Sequence, residues 1–261
     1  MIRRWTITLA LVGCRSAPPA PLDLPAATPE VTPAPEPAPP APVPQAPQAV
    51  ELPASWASVP LEELAGLLAA TFPPDEARTL VPSAFEELSS ALRGDDPLAL
   101  RALLVLARCS DPLASELLLQ RLERRASARG ELGATLDITA AAAVRDLPES
   151  KNAASRLESL AYGQRPHPEL EVRVECACSA LRLGRVKALP FLFAILKHGT
   201  RLAVASSSWK PIPEMGFCQR RAAEALGERA GQACRFRPLQ PPDERESEIR
   251  ALETLLAQRR P

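Results

Sequence analysis

The prolines divide this chain before any other feature does. Of 30 prolines in 261 residues, fifteen lie between Pro18 and Pro60. Proline fixes φ and lacks a backbone donor, so neither helix nor sheet propagates through such a run. Alanine, valine, glutamine and threonine fill the gaps, and no lysine or arginine occurs between Arg15 and Leu61. The scattered apolar residues cannot assemble a core, so residues 14–60 are expected to be a disordered tether with polyproline-II bias. In that form the tether would reach about 140 Å, and as a flexible coil nearer ~40 Å. A PxxP ligand for a recognition domain is the rival reading of the same residues. Trp56, in Pro53-Ala-Ser-Trp-Ala-Ser-Val-Pro60, is expected to pack on the entrance to the folded part.

Ahead of the tether, Arg3 and Arg4 form a short positive region, and Trp5 to Gly13 is apolar apart from its threonines. This run is too short to span a bilayer, which takes roughly 20 residues. It suits the apolar core of a signal peptide, so residues 1–13 are expected to be removed. The run ends Leu11-Val12-Gly13-Cys14 and resembles the lipobox of bacterial lipoproteins, a small residue followed by cysteine near the N-terminus. The resemblance implies a diacylglyceryl group on the Cys14 sulfur and cleavage before Cys14. Each buried lipid CH₂ contributes about 0.8 kcal/mol, so two or three chains would anchor the protein durably. The resemblance also implies a place in the cell envelope. Arg15, where an Asp would favour inner-membrane retention, points to the periplasmic face of the outer membrane in a Gram-negative cell.

From Leu61 onward the apolar residues recur every three or four positions, the period of an amphipathic helix. Leu61, Leu64, Leu67 and Leu68 share one face of a first helix, with Ser58 as candidate cap; a second helix runs from Ser83 to Arg93. Asp96-Pro97 and Asp111-Pro112 each set a capping residue before proline at a first helical position. They open a helix pair, and three more pairs follow: Leu136–Leu147 with Ser150–Ala161, Glu169–Leu183 with Val186–His198, and Phe217–Ala230 with Asp243–Arg259. Aromatic residues make up only 4% of the chain, too few for a sandwich or barrel of this length. Residues 61–261 are therefore expected to be one all-α domain.

The pairs are self-similar. Ala114–Leu122 overlays Ala188–Leu196 at an offset of 74, two periods of 37, and Ala180-Leu181 overlays Ala225-Leu226 at an offset of 45. Two helices per period of this size is the mark of an α-solenoid. The segment Val172-Arg173-Val-Glu-Cys-Ala177-Cys-Ser-Ala180-Leu181-Arg-Leu-Gly184, followed by Ala188-Leu-Pro-Phe-Leu192, resembles a HEAT repeat of the bacterial, phycobilin-lyase-like type. Gln219-Arg-Arg-Ala-Ala-Glu-Ala-Leu-Gly227 matches the first half again. The resemblance implies stacked antiparallel helix pairs from about Asp96 to Arg259. Small residues at Ala177, Ala180, Ala222 and Ala225 would let neighbouring helices approach closely. An irregular helical bundle is the alternative. Pro190 is compatible with the helix it sits in, because it falls in the first turn.

The side chains carry little chemistry. Lys+Arg and Asp+Glu both number 31, a balance that argues against a general nucleic-acid binder. No HExxH, GxSxG or phosphate-binding glycine pattern occurs. His167 lies between two prolines, and His198 ends a helix before Gly199. Neither suggests a metal site, and no catalytic residue, metal or cofactor is expected. Beyond Cys14 the cysteines are Cys109, Cys176, Cys178, Cys218 and Cys234, an odd number in a compartment that permits disulfides. Cys176 and Cys178 lie about 200° apart on their helix and should not bond each other. Cys218 and Cys234 are separated by a helix about 20 Å long and could meet only if the chain doubles back. A bond from Cys176 or Cys178 to Cys218 is geometrically easier, and burial as small side chains is the plain alternative.

Two connections look suited to contact. Gly199 to Gly216 is long for a helix–helix connection and carries Trp209 and Lys210. The loop from Cys234 to Asp243 carries Arg235, Phe236 and Arg237, which could meet an acidic partner or simply pack. The expected function is a non-catalytic, membrane-anchored scaffold that binds an envelope protein, with no small-molecule substrate. An envelope spacer without a specific partner is the alternative, and a bilin lyase-like enzyme a more distant one.

Overall fold

The computed structural model describes residues 48–74, 76–124, 131–148, 152–202 and 213–258. The described residues begin inside the stretch expected to be tether. Strand β1 (Gln48–Val50) pairs in parallel with β2 (Arg78–Leu80), Ala49 opposite Thr79. A 3-10 turn over Ala54–Ala57 then buries Trp56 to 2% exposure, and its indole Nε1 donates to Glu87 Oε1 at 3.0 Å. Arg101 donates to the carbonyls of Trp56 and Val59. Residues 48–60 thus dock onto the helices. Trp56, Val50, Leu52 and Val59 supply apolar surface that a Pro/Ala run lacks.

Ten α-helices follow among the described residues: α1 (Leu61–Thr71), α2 (Pro82–Ala91), α3 (Pro97–Leu106), α4 (Pro112–Glu123), α5 (Glu131–Val144), α6 (Ala153–Tyr162), α7 (Leu170–Arg182), α8 (Leu189–Lys197), α9 (Pro213–Ala230) and α10 (Pro242–Gln258). The fold is all-α apart from the small β1–β2 pairing. None of the described helices is long and apolar enough to cross a membrane.

Local chemistry explains the boundaries. Asp96 accepts from Ala99 N at 2.9 Å and Asp111 from Leu113 N at 2.7 Å, each with proline at the next position. Pro190 sits in the first turn of α8, where no helical bond is lost. Ser58 does not cap α1. Its Oγ donates to Ser55 O at 3.3 Å, and Pro60 occupies the cap position. Glu62 and Glu63 instead complement the N-terminal dipole of α1.

Helices α5, α7 and α9 lie side by side, and α4, α6 and α8 pack across them: α4 on α5, α6 on α7, α8 on α9. The tight packing is therefore between the second helix of one expected pair and the first helix of the next. Ala177, Ala180 and Ala222 are fully buried, as close approach requires, whereas Ala225 keeps part of its surface. Polar side chains also stitch α7 to both neighbours. Ser179 Oγ donates to Ala141 O at 2.7 Å, and Cys178 Sγ to Arg221 O at 3.6 Å.

The last pair, α9 with α10, departs from the expected antiparallel hairpin. Gln219 Nε2 donates to the carbonyls of Ile195, Leu196 and His198 at 3.3, 3.4 and 2.9 Å, which sets the start of α9 at the C-terminal end of α8. At that same end Arg245, in the first turn of α10, donates to Gly199 O at 2.8 Å. Both helices therefore set out from one end. The chain returns between them along α9 itself. A Cβ at Gly227 would lie 2.8 Å from Cys234 Cβ, and one at Gly216 would lie 3.9 Å from Pro238 Cβ. Residues 234–238 thus run back from the late part of α9 to its start.

Candidate functional site

A charged residue on a helix's apolar stripe must find a partner, because an isolated ion in the interior costs several kcal/mol. On α4, Arg121 shares the face of Leu117, Leu118 and Leu122, and it is 1% exposed. Its Nε lies 2.9 Å from Asp137 Oδ1 on α5, which is wholly buried. Its Nη1 donates to the carbonyls of Leu92 and Gly94, both at 2.8 Å, and its Nη2 to Asp95 at 2.6 Å. The other oxygen of Asp137 faces His167 Nε2 at 3.4 Å. His167 Nδ1 accepts from Glu169 N at 3.2 Å, which assigns the ring hydrogen to Nε2, facing the carboxylate. One guanidinium, one carboxylate and one imidazole thus join the α2–α3 corner, α4, α5 and the α6–α7 corner.

A second set runs along the layer of α5, α7 and α9. Glu175 on α7 is 1% exposed and is clamped from both sides. Arg145 approaches Glu175 Oε1 at 3.3 Å, and Arg221 donates to both of its oxygens at 2.7 and 2.8 Å. Arg221 also reaches Glu224 at 2.6 Å, and its hydrogen bonds with Glu175 raise its pKa above the usual arginine value. Arg182 extends the set to Asp146 at 3.4 Å and Glu228 at 2.7 Å. This edge satisfies its own charges and leaves little to recruit a partner.

No disulfide joins the cysteines at 109, 176, 178, 218 and 234. Burial pushes the Cys109, Cys176, Cys178 and Cys234 thiols above their ordinary range, which keeps them protonated and weakly nucleophilic. The chain does double back near Cys234, but onto Gly227 and not onto Cys218. His198 is the C-cap of α8, as expected from Gly199, whose φ of 71° is in the left-handed region. Among the described residues, no group of three or more His, Cys, Asp and Glu is placed to hold a metal ion.

The expected contact residues separate. Cys14, Trp209 and Lys210 lie outside the described residues. Phe236 is buried to 5% exposure, so its ring is committed to the core, while Arg235 and Arg237 on either side are exposed. Leu239, two residues further on, is 99% exposed. Leu239 and the buried ions of α4, α5 and α7 are not among the residues that the sequence singles out. The signal for the ions was present: Arg121, Asp137 and Glu175 all interrupt apolar helical faces. The signal for Leu239 was not, because only the returning chain path sets its orientation.

Two open grooves accompany these features. One, by the start of α10, is lined by Arg201, Leu202, Asp243, Glu246, Ser247 and Arg250. Here Arg201 N donates to Glu246 at 2.8 Å and holds that carboxyl below its ordinary pKa. The other, between α4 and α6, is lined in part by Glu123, Arg156 and Arg165. Comparison with family models, with curated proteins and with solved structures finds no match to this chain.

Proposed function

We propose that this chain is a lipid-anchored, non-catalytic interaction scaffold of the bacterial cell envelope, with a HEAT-like solenoid as its binding domain. Cys14 carries the lipid, the Pro-rich segment spaces the domain from the membrane, and the helices present a surface to another envelope protein. The observation that carries this reading is the two-layer packing, with α5, α7 and α9 side by side and α4, α6 and α8 across them. Helices stacked this way leave an extended surface, which is how repeat domains bind partners. The lipobox resemblance and Arg15 favour the periplasmic face of the outer membrane, if the cell has one.

Lipid attachment is tested by labelling cells with a fatty-acid probe. Wild-type protein should label and sediment with membranes, and Cys14→Ser should do neither. A Cys14→Ser protein that stays on the membrane would overturn the anchor. The scaffold role is tested by crosslinking in intact cells and identifying what is captured with the full-length chain. One dominant envelope protein is expected. Capture of none would favour the spacer alternative, to which the self-satisfied charge edge of α5, α7 and α9 also lends support.

A further inference from the structure

The segment that returns along α9 alternates. Phe236 faces the core and Pro238 meets the start of α9, while Arg235, Arg237 and Leu239 face outward. Alternate residues of an extended chain lie roughly 6.5–7 Å apart, which sets Arg235 and Arg237 on one edge, and Leu239 follows them inside the turn that ends it. At its end a turn fixes Leu239: Gln240 N donates to Arg237 O at 3.1 Å, and Arg237 N to Gln240 Oε1 at 2.8 Å. Pro238 and Pro241 stiffen the same turn. This edge is therefore pre-organised, which lowers the ordering cost of binding.

Its charge is also unspent. Arg235 and Arg237 pair with no carboxylate among the described residues, and neither does Arg220, exposed on the α9 face that the segment crosses. Arg221, one residue away, is wholly engaged with Glu175 and Glu224. Unpaired guanidinium forks suit bidentate carboxylates.

We propose that Arg235, Arg237 and Leu239, with Arg220 beside them, form the docking edge for an extended acidic segment of a partner protein that carries an apolar residue among its carboxylates. This rests on the scaffold reading above and names the partner's chemistry. A lipid surface fits less well, because one leucine offers little insertion and the charges lie along a line.

The test uses the full-length protein in detergent micelles and a fluorescein-labelled peptide, Glu-Leu-Glu-Glu-Leu-Glu, followed by anisotropy. The wild type should bind, and binding should weaken with salt. Arg235→Glu with Arg237→Glu should weaken it at least about tenfold, the neutral Arg235→Gln/Arg237→Gln pair less, and Leu239→Ala a few-fold. All these side chains are exposed, so the circular dichroism of the variants should match the wild type. The proposal is overturned if the wild type does not bind, if the charge-reversed pair binds equally, or if a Gln-for-Glu peptide binds as well. It is also overturned if Cys14→Ser protein binds phosphatidylglycerol vesicles through these residues while ignoring the peptide. Crosslinking in cells separates the two levels. A partner still captured by the charge-reversed pair removes this edge and leaves the scaffold standing. Peptide binding without any partner in cells removes the scaffold reading and leaves an acid-binding edge.

Discussion

Around α5 and α7 the chain buries ions, and around the far face of α9 it buries glycine and alanine. Asp137, at 0% exposure, sits between Arg121 of α4 and His167 of the α6–α7 corner, and Glu175, at 1%, between Arg145 and Arg221. On α9, Gly216, Ala223 and Gly227 lie along one stripe with Arg220, by their spacing of three and four. That stripe is opposite the one formed by Cys218, Ala222 and Ala225. Arg221 and Cys218 mark the side of α9 that turns toward α7 and α8. The difference follows from position. A helix with neighbours on both sides can give each charge a partner from the next helix. Among the described residues no further helix of this layer lies beyond α9, and the chain's own segment, residues 234–238, lies on that face. Small residues let that segment approach, and the arginines on its outer edge meet water.

The contrast predicts different failures on the two sides. Asp137→Ala should cost most, about 3–5 kcal/mol, because it takes the buried counter-charge from Arg121 Nε, leaving only the half-exposed Asp95, and removes the carboxylate facing His167. Urea unfolding measures this, and a loss below ~1 kcal/mol would mean that the pair does not hold α4 to α5. Replacing both ions, Arg121→Met with Asp137→Leu, should recover part of the loss. Full recovery is not expected, since Arg121 also caps the Leu92 and Gly94 carbonyls. Ala177→Leu should overpack the α7 contacts by about 1–3 kcal/mol. Ala225→Leu should cost less, because Ala225 retains some exposure.

Gly227→Ala should be local. The added Cβ would meet Cys234 Cβ at 2.8 Å and Gln232 O at 2.9 Å, so the returning segment must shift. A cost of roughly 1–3 kcal/mol is expected, with faster hydrogen exchange in α10 and unchanged protection in α7. Equal loosening of both helices would show that the end is not a separate cap. The smallest effect concerns Glu116, whose hydrogen bond from Arg156 holds its carboxyl below the usual range. A lowered folded pKa means that the bond stabilises above the ordinary carboxylate pKa and is lost as pH falls through the folded value. At this partly exposed pair the contribution is about 0–1 kcal/mol, and Glu116→Gln should flatten the acid limb of a stability-versus-pH curve by no more than that.

Much of the helical architecture was legible from residue spacing. The Asp96-Pro97 and Asp111-Pro112 caps and the first-turn Pro190 follow from local chemistry that the sequence states outright. Contact residues were legible only in part. Arg235, Phe236 and Arg237 could be singled out as a group, but the outward arginines and the inward Phe236 were not separable, because the face each takes depends on what the chain runs along. The ordering of residues 48–60 is not legible in the sequence, because their proline content argues for a tether while the decisive partners, Arg78–Leu80 and Glu87, lie far along the chain.

By itself, then, the sequence determined an all-α chain behind a Pro-rich segment, together with most helix boundaries, since caps, breakers and apolar period act within a few residues of one another. Only the tertiary structure decided which helices share a layer, that buried ions tie α4 to α5 and α7 to both neighbours, and that the chain turns back along α9. Those outcomes depend on groups brought together from distant positions, such as Arg145, Glu175 and Arg221, whose pairing no local pattern encodes.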